Sequence, residues 1–319
     1  STGEVTARFL AYQQSYRGGL RVATGDLYGD GIDEIITAPG RSMEPRVKVF
    51  DQQGNLLFSF LAFPVSFKGG VDVAVGDVNG DGRNDIAAAM TYNGSQVKVF
   101  KNVSSGSSLA FSTFSTFSPF GTFKGGSTVE TASLGTAFKS GTSTKLNNVV
   151  DARSEIIVAS GSGMRATVKV FAYNGSSNKA AAVRTFLPLT AGFKGGITMD
   201  VARVNDDAVP DIIVAAGNGG GSQVRVLNGI NGAVLSRFTA YQPGEAGYNA
   251  PVHVAAMDET GDGIADAVFS AQGTDGATRK IRKFDALSAQ LVDEFMETSF
   301  DFGGAYFLET LNGQEQVAS

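Results

Sequence analysis

Phe67-Lys68-Gly69-Gly70 runs into Val71-Asp72-Val73-Ala74-Val75 and then into Asp77-Val78-Asn79-Gly80-Asp81-Gly82-Arg83-Asn84-Asp85. This stretch decides the fold because it recurs. Its aromatic, cation and glycine pair return as Tyr16-Arg17-Gly18-Gly19, Phe123-Lys124-Gly125-Gly126 and Phe193-Lys194-Gly195-Gly196. Relaxed copies stand at Tyr248-Asn249-Ala250-Pro251 and Asp301-Phe302-Gly303-Gly304. Counted from the second glycine or its stand-in, the five units are 51, 56, 70, 55 and 53 residues long. Self-similarity at such a period marks an architecture in which each unit is one supersecondary element.

Inside each unit the apolar residues alternate over four to eight positions between clusters of Gly, Asn, Asp and Ser, which is the pattern of strands. The second unit predicts strands at Val71–Val75, Asp85–Met90, Gln96–Phe100 and Leu109–Phe114. The third is the clearest copy, as Arg46-Val47-Lys48-Val49-Phe50, Gln96-Val97-Lys98-Val99-Phe100, Thr167-Val168-Lys169-Val170-Phe171, Gln223-Val224-Arg225-Val226-Leu227 and Lys280-Ile281-Arg282-Lys283-Phe284. Four short strands per unit, with no long amphipathic helix, predict an all-β fold: a β-propeller of four-stranded blades. An antiparallel sandwich is the competitor, but it does not call for a repeated unit. The expected organisation is one domain over 1–319, with repeats at 14–64, 65–118, 119–189, 190–242 and 243–300.

The termini add one strand each. Residues 4–12 resemble a fourth strand and 303–310 a first strand. In a closed five-blade ring the N-terminal segment would complete the last sheet and displace Leu291–Thr298; a six-blade ring would lack its two middle strands. Either leaves unpaired backbone groups, so head-to-tail self-association by strand exchange, building filaments, stands beside plain packing of a terminus on the ring's outside.

Composition narrows the chemistry. The chain has 319 residues, 42% apolar and 18% charged, enough to bury a core. With no Cys and one His, disulfides, thiolate zinc sites and two-histidine metal centres are excluded within it. A net charge of −5 argues against nucleic acid as partner, and no apolar run is long enough to cross a bilayer as a helix. The start at Ser1, without Met or leader, fits either a processed product or a trimmed chain, and the missing leader decides nothing about location. The Ser/Thr/Gly-rich segments 104–122 and 135–152 read as exposed loops or outer edges. Asn93, Asn102 and Asn174 each open an N-glycosylation tripeptide.

The turn between first and second strands carries the candidate site. In unit two, Asp77, Asn79, Asp81 and Asp85 place side-chain oxygens at positions 1, 3, 5 and 9, Gly82 permits the bend at 6, and Arg83 at 7 offers its main-chain carbonyl. A hard cation such as Ca²⁺ needs six to eight oxygens, which alternate residues of a tight loop can supply. A helix–loop–helix calcium hand is excluded, because position 12 is Ala88 and the loop opens into a strand. The first unit offers Asp26, Asp30, Glu34 and the carbonyl of Ile32, with Asp33 as a competitor and Tyr28 in place of an easy ligand. The fifth offers Asp258, Thr260, Asp262, Asp266 and the carbonyl of Ile264. Arg203 replaces the first carboxylate in unit four, its guanidinium expected on the two aspartates, and unit three keeps only Glu155. Ordinary turn chemistry explains Asn-Gly and Asp-Gly, but a turn alone needs no carboxylate at position 9. The expected cofactor is calcium.

The Asp77–Asp85 loop running into Ile86, the Gly69-Gly70 pair and Val97-Lys98-Val99-Phe100 resemble FG-GAP/VCBS repeats, the integrin-α-like calcium-binding propellers. Gly25 and Gly76, each before a first loop aspartate, fit the same pattern; Met257 departs from it. The resemblance implies Ca²⁺ on the loop carboxylates and a secreted or cell-surface adhesion, carbohydrate-binding or scaffold module. The expected function is therefore a non-catalytic, calcium-binding structural or adhesion module, with a glycan or a surface protein as ligand. A carbohydrate-binding lectin is the alternative, disfavoured by the absence of Trp, and a hydrolase the third reading. His253 lies between two valines and reads as structural. The recurrent cations Lys48, Lys98, Lys169, Arg225 and Arg282 read as stems covering apolar surface with their charge on solvent or a carboxylate, the other reading being a ring for anionic glycans.

Overall fold

The alternating segments of each repeat pair in chain order as antiparallel meanders. A computed structural model of the protein describes residues 7–135, 153–173, 178–272, 280–296, 307–311 and 314–318. Blade one holds β1 (Leu20–Gly25), β2 (Glu34–Pro39), β3 (Arg46–Phe50) and β4 (Leu56–Leu61). Blade two holds β5 (Val71–Gly76), β6 (Asp85–Met90), β7 (Val97–Asn102) and β8 (Phe111–Phe117). Blade three holds β9 (Ser127–Ala132), β10 (Glu155–Ser160), β11 (Val168–Tyr173) and β12 (Ala180–Phe186). Blade four holds β13 (Ile197–Ala202), β14 (Asp211–Ala216), β15 (Gln223–Leu227) and β16 (Val234–Thr239), and blade five β17 (Val252–Met257), β18 (Ala267–Gln272), β19 (Lys280–Asp285) and β20 (Leu291–Met296). The fold is a five-bladed β-propeller with four-stranded antiparallel blades. A two-stranded sheet of β21 (Phe307–Leu311) and β22 (Gln314–Ala318) follows, with β21 beside β1 and β17.

Two termini differ from the reading of the sequence. Leu291–Met296 is itself the fourth strand of blade five, paired with β19, so the N-terminal segment does not displace it. Residues 7–12 are not a strand, and 4–6 lie outside the described residues, as do 303–306 of the expected C-terminal strand and most of the 135–152 loop.

The second strands are buried on both faces, which is why their binary contrast is weak: β10 and β14 are buried at every position. Blade packs on blade through such faces, as Val47, Ile36, Val73 and Ile86 do between blades one and two. The third and fourth strands shift register at the same place in every blade, at Val49/Phe50, Val99/Phe100, Val170/Phe171, Val226/Leu227 and Lys283/Phe284. A bulge there adds twist to the outer strand.

The glycine pair has two separate causes. A Cβ on Gly69 would overlap the carbonyl oxygen of Tyr92, and Gly70 has φ +88°, a left-handed conformation that costs glycine little. The same overlap and the same φ region recur at Gly125 and Gly126 and at Gly195 and Gly196.

The recurrent third-strand cations fasten each blade to the segment before it. Lys48 Nζ donates to Ala11 O at 2.7 Å, Lys169 Nζ to Pro119 O at 2.9 Å, Arg225 to Pro188 O at 2.6 Å and Arg282 to Ala240 O at 2.7 Å. Lys48, Lys98, Lys169 and Arg282 also lie over the rings of Tyr12, Phe63, Phe120 and Tyr241. These cations therefore end on carbonyls and rings; only Arg282 adds carboxylates, Glu245 and Glu294.

Around the axis the inner strands are cross-linked by side chains. Arg21 pairs with Asp72 at 3.4 Å, Asp72 accepts from Val129 N at 2.9 Å, and Asp200 accepts from Ala256 N at 2.6 Å. His253 is buried on β17, and burial with Arg21 nearby holds its protonation far below the ordinary histidine range.

Candidate metal loops

The loop between first and second strands begins as the inner strand ends and closes where the second strand enters the core. Its position-9 acid is thereby drawn inward. Glu34, Asp85, Glu155 and Asp211 are buried, and each accepts from the main-chain N–H of position 2: Leu27 at 2.8 Å, Val78 at 3.2 Å, Leu134 at 2.6 Å and Val204 at 3.0 Å. Asp266 does the same for Glu259 at 2.9 Å. In the first four blades position 2 is a buried apolar residue, so its N–H has lost water and needs an acceptor. The other oxygen of Asp85 accepts from Asn102 N at 2.9 Å, on the third strand, and that of Asp211 from Gly229 N at 3.1 Å, in the turn after the third strand.

This arrangement overturns one premise of the sequence reading. The position-9 carboxylate has a main-chain task in every blade, including the third, which keeps only Glu155, and the fourth, where Arg203 replaces the first carboxylate. Its retention is therefore explained without an ion. Burial pushes the Glu34, Asp85 and Asp211 carboxyls up, the last two to about 6.

The rim carboxylates form a second group. Asp77 accepts from Gly80 N at 2.7 Å, Asp81 N at 3.1 Å and Gly82 N at 2.7 Å. Asp26 repeats this with Gly29, Asp30 and Gly31, and Asp258 with Gly261 and Gly263. Position 5 then accepts from position 7, Asp30 from Ile32, Asp81 from Arg83 and Asp262 from Ile264. Positions 4 and 6 are glycines with φ between +77° and +83° in all three loops. Asn79 donates its amide to Asp85 at 2.8 Å, and Thr260 its hydroxyl to Asp258 at 3.4 Å. Tyr28 packs its ring against the apolar core of blades one and two.

The donor chemistry suits a hard cation: carboxylates at positions 1 and 5 share an exposed rim with amide, hydroxyl and main-chain oxygens. The arrangement is open. Among the described residues no three acids converge as a metal cage, because the position-9 acid turns to the main chain. In blade two a cation already stands there, Lys101 Nζ at 2.8 Å from Asp81 Oδ2. In blade four Arg203 differs from expectation, donating to the main-chain carbonyl of Asp207 at 3.0 Å, while the Asp207 carboxylate accepts from Val209 N and Asn228 Nδ2.

The loops are also chained to one another, which no sequence signal announced. Asn84 Nδ2 donates to Asp26 O at 2.9 Å, Ser154 N to Asp77 O at 2.8 Å and Ala265 N to Arg203 O at 2.6 Å. Position 8 of one loop thus holds position 1 of the preceding loop. Pro210, at position 8 of the fourth loop, has no N–H to give. Asn102 is buried and spends its amide on Leu27 O and Asn84 O, so its glycosylation tripeptide is closed to modification; Asn174 lies outside the described residues.

The fold has solved counterparts of low sequence similarity. A protein from Lactobacillus plantarum superposes with a TM-score of 0.53 at 14% identity, covering 90% of this chain and 73% of that one. The exotype rhamnogalacturonan lyase YesX gives 0.50 at 15%, covering 91% and 53%, so this chain spans about half the lyase's length. Chaetomium thermophilum Sqt1, bound to the N-terminus of the ribosomal protein L10, gives 0.50 at 12%, covering 94% and 79%. These likenesses concern the fold alone. No curated protein sequence matches the chain. The family match falls on the first two acidic loops and the strands between them: residues 26–88 match the model of an FG-GAP-like repeat.

Proposed function

We propose that this propeller is a non-catalytic interaction module, structural or adhesive in role, stabilised by calcium and displayed outside the cell. The observation that carries the reading is the shared wrap of three loops. Asp26 with Asp30, Asp77 with Asp81, and Asp258 with Asp262 hold paired carboxylates on the rim by the same main-chain bonds. Bound calcium would supply charge neutralisation to these pairs. Three ions would bring the formal net charge from −5 to about +1. Open, partly hydrated sites suit the millimolar calcium of extracellular fluid. The buried His253, its protonation held far below the ordinary histidine range, supports a structural rather than a catalytic role for this residue.

Thermal unfolding in calcium against chelator tests the reading. We expect the midpoint to rise by several degrees with millimolar calcium, and the rise to shrink when Asp77 and Asp81 are both replaced by Asn. Equal midpoints in calcium and chelator would remove calcium from the proposal. A glycan-binding role is the second reading, supported by the open groove between β8 and β12, where Thr113, Ser115 and Thr116 lie beside Phe114 and Phe117. A glycan array separates the two.

A further inference from the structure

The two ends of the propeller carry opposite charge. The rim aspartates stand at one end. The other is built from the links that enter each blade, 12–19, 62–70, 118–126, 187–196 and 240–251, and from the turns between second and third strands, 40–45, 91–96, 161–167 and 217–222. Among the described residues this end holds six cations, Arg17, Arg41, Lys68, Lys124, Arg165 and Lys194, against two acids. Both acids are engaged. Glu44 accepts from Arg46 at 2.6 Å, with Lys68 attracting it more weakly, and Glu245 accepts from Arg282 at 2.6 and 2.9 Å.

The marker lysines differ from the third-strand cations in having no task inside the fold. Lys68 O accepts from Ser42 N at 3.0 Å, Lys194 O accepts from Gly163 N at 2.8 Å, and Gly125 bridges to Gly94, so each link is tied to the turn of the blade before it. The first glycine of each pair then packs on a carbonyl, with Phe67, Phe123 or Phe193 against it. Backbone and ring are thereby fixed. The side chains of Lys68, Lys124 and Lys194 are exposed and, among the described residues, make no hydrogen bond or ion pair. Three equivalent ammonium groups on one end, with its acids already taken, leave a field that favours an anion.

Blades one and two supply the best-formed part of this surface. The Arg41 guanidinium lies 3.9 Å above the ring of Tyr92, which is 46% exposed. Tyr16 donates its hydroxyl to Arg41 O at 3.1 Å, and the bond from Ser42 N to Lys68 O sets a second cation beside Arg41. A guanidinium held flat on a ring keeps its N–H edge for a carboxylate, which it can bind through two parallel bonds.

We propose that this end of the propeller binds a polysaccharide bearing one carboxylate per sugar, a uronate polymer, with Arg41 and Lys68 on the carboxylates and Tyr92 and Phe67 beside the sugar rings. One lysine per blade, each preceded by a half-buried aromatic, suits a chain whose charges are spaced by whole sugars. Double-stranded DNA carries one charge per about 1.7 Å and meets a protein of net charge −5 here, so it is the poorer fit. A second copy offering its acidic rim is also poorer, because Asp77 is wrapped by its own main chain and Asp81 holds Lys101. The inference deepens the reading of an interaction module by naming its ligand class, and it is independent of calcium.

Fluorescence anisotropy of labelled hexamers of mannuronate and of galacturonate tests it, in chelator because uronates themselves bind calcium, at a temperature where circular dichroism shows the protein folded. We expect saturable binding that weakens in about 0.5 M NaCl. Arg41→Gln with Lys68→Gln should weaken it about ten-fold. Arg237→Gln with Lys283→Gln removes the same charge from the outer strand of blade four and the acidic end, and should change it less than about two-fold. Absence of binding of both hexamers at about 1 mM overturns the proposal, as does equal weakening by the two double variants, which would make the effect one of net charge. Tighter binding of duplex DNA or of a sulfated dextran than of either uronate also overturns it, assigning this end to a denser polyanion. Melting in calcium is read separately, so the calcium reading and this one can fail apart.

Discussion

Lys101 Nζ stands 2.8 Å from Asp81 Oδ2, on the rim where blade two offers its carboxylates. The pair is partly exposed, so its contribution to stability is small, at most about 1 kcal/mol. Its effect on a divalent ion is larger in proportion, because an ammonium beside a ligand carboxylate repels the ion and occupies its oxygen. Blade one has Asp51, not a lysine, at this place.

Replacing Lys101 by Gln should therefore tighten calcium binding at blade two roughly five-fold, corresponding to about 1 kcal/mol of removed repulsion. Isothermal titration of the two proteins measures this. An unchanged or weaker affinity would mean that Asp81 takes no part in holding the ion.

Glu155 and Asp81 should separate the two tasks of the loop acids. Glu155→Leu strands the buried Leu134 N–H and should cost about 1–3 kcal/mol in urea unfolding, with the calcium response retained. Asp81→Asn should barely change stability in chelator and should reduce the calcium response. If both variants lose the calcium response alike, the division between inward and rim acids is wrong.

Asp211 sets a pH dependence in a blade without a rim carboxylate at position 1. Its carboxyl is raised to about 6 by burial, against an ordinary value of 3.8. The folded state binds this proton more tightly than the unfolded state. The associated stability is thus complete below about pH 4 and lost as pH rises through about 6. In chelator, wild type should lose up to roughly 2–3 kcal/mol between pH 4 and 7 relative to Asp211→Asn, read from urea midpoints at each pH. A constant difference between the two proteins across that range contradicts the assignment.

Gly69→Ala and Gly82→Ala isolate crowding from backbone strain. A Cβ at 69 meets the Tyr92 carbonyl, whereas a Cβ at 82 meets nothing and bears only the φ of +83°. The first should cost on the order of 3 kcal/mol and the second about 1. Comparable melting points for the two variants would show that the inner turn yields to admit the methyl.

The strands, their order within a repeat and the propeller itself were legible in the chain, because strand periodicity and turn glycines are local and recur in five units, four of them opened by the full aromatic–cation–Gly-Gly marker. The rim aspartates were legible for the same reason, since Asp77 and Asp81 act within their own loop. The main-chain task of Asp85 was not legible, because its partners, Val78 N and Asn102 N, become needy only once packing removes water from them. The cations were misjudged in the same way: the carbonyls that hold Lys48, Lys169 and Arg225 come from the segment before each blade.

Sequence by itself determined which residues become strand and which become loop, since those choices rest on neighbours a few positions apart. Only the tertiary structure decided which loop acids turn to the main chain and where Arg203 points. Those outcomes depend on groups tens of residues distant, brought together when blade packs on blade and water leaves the space between.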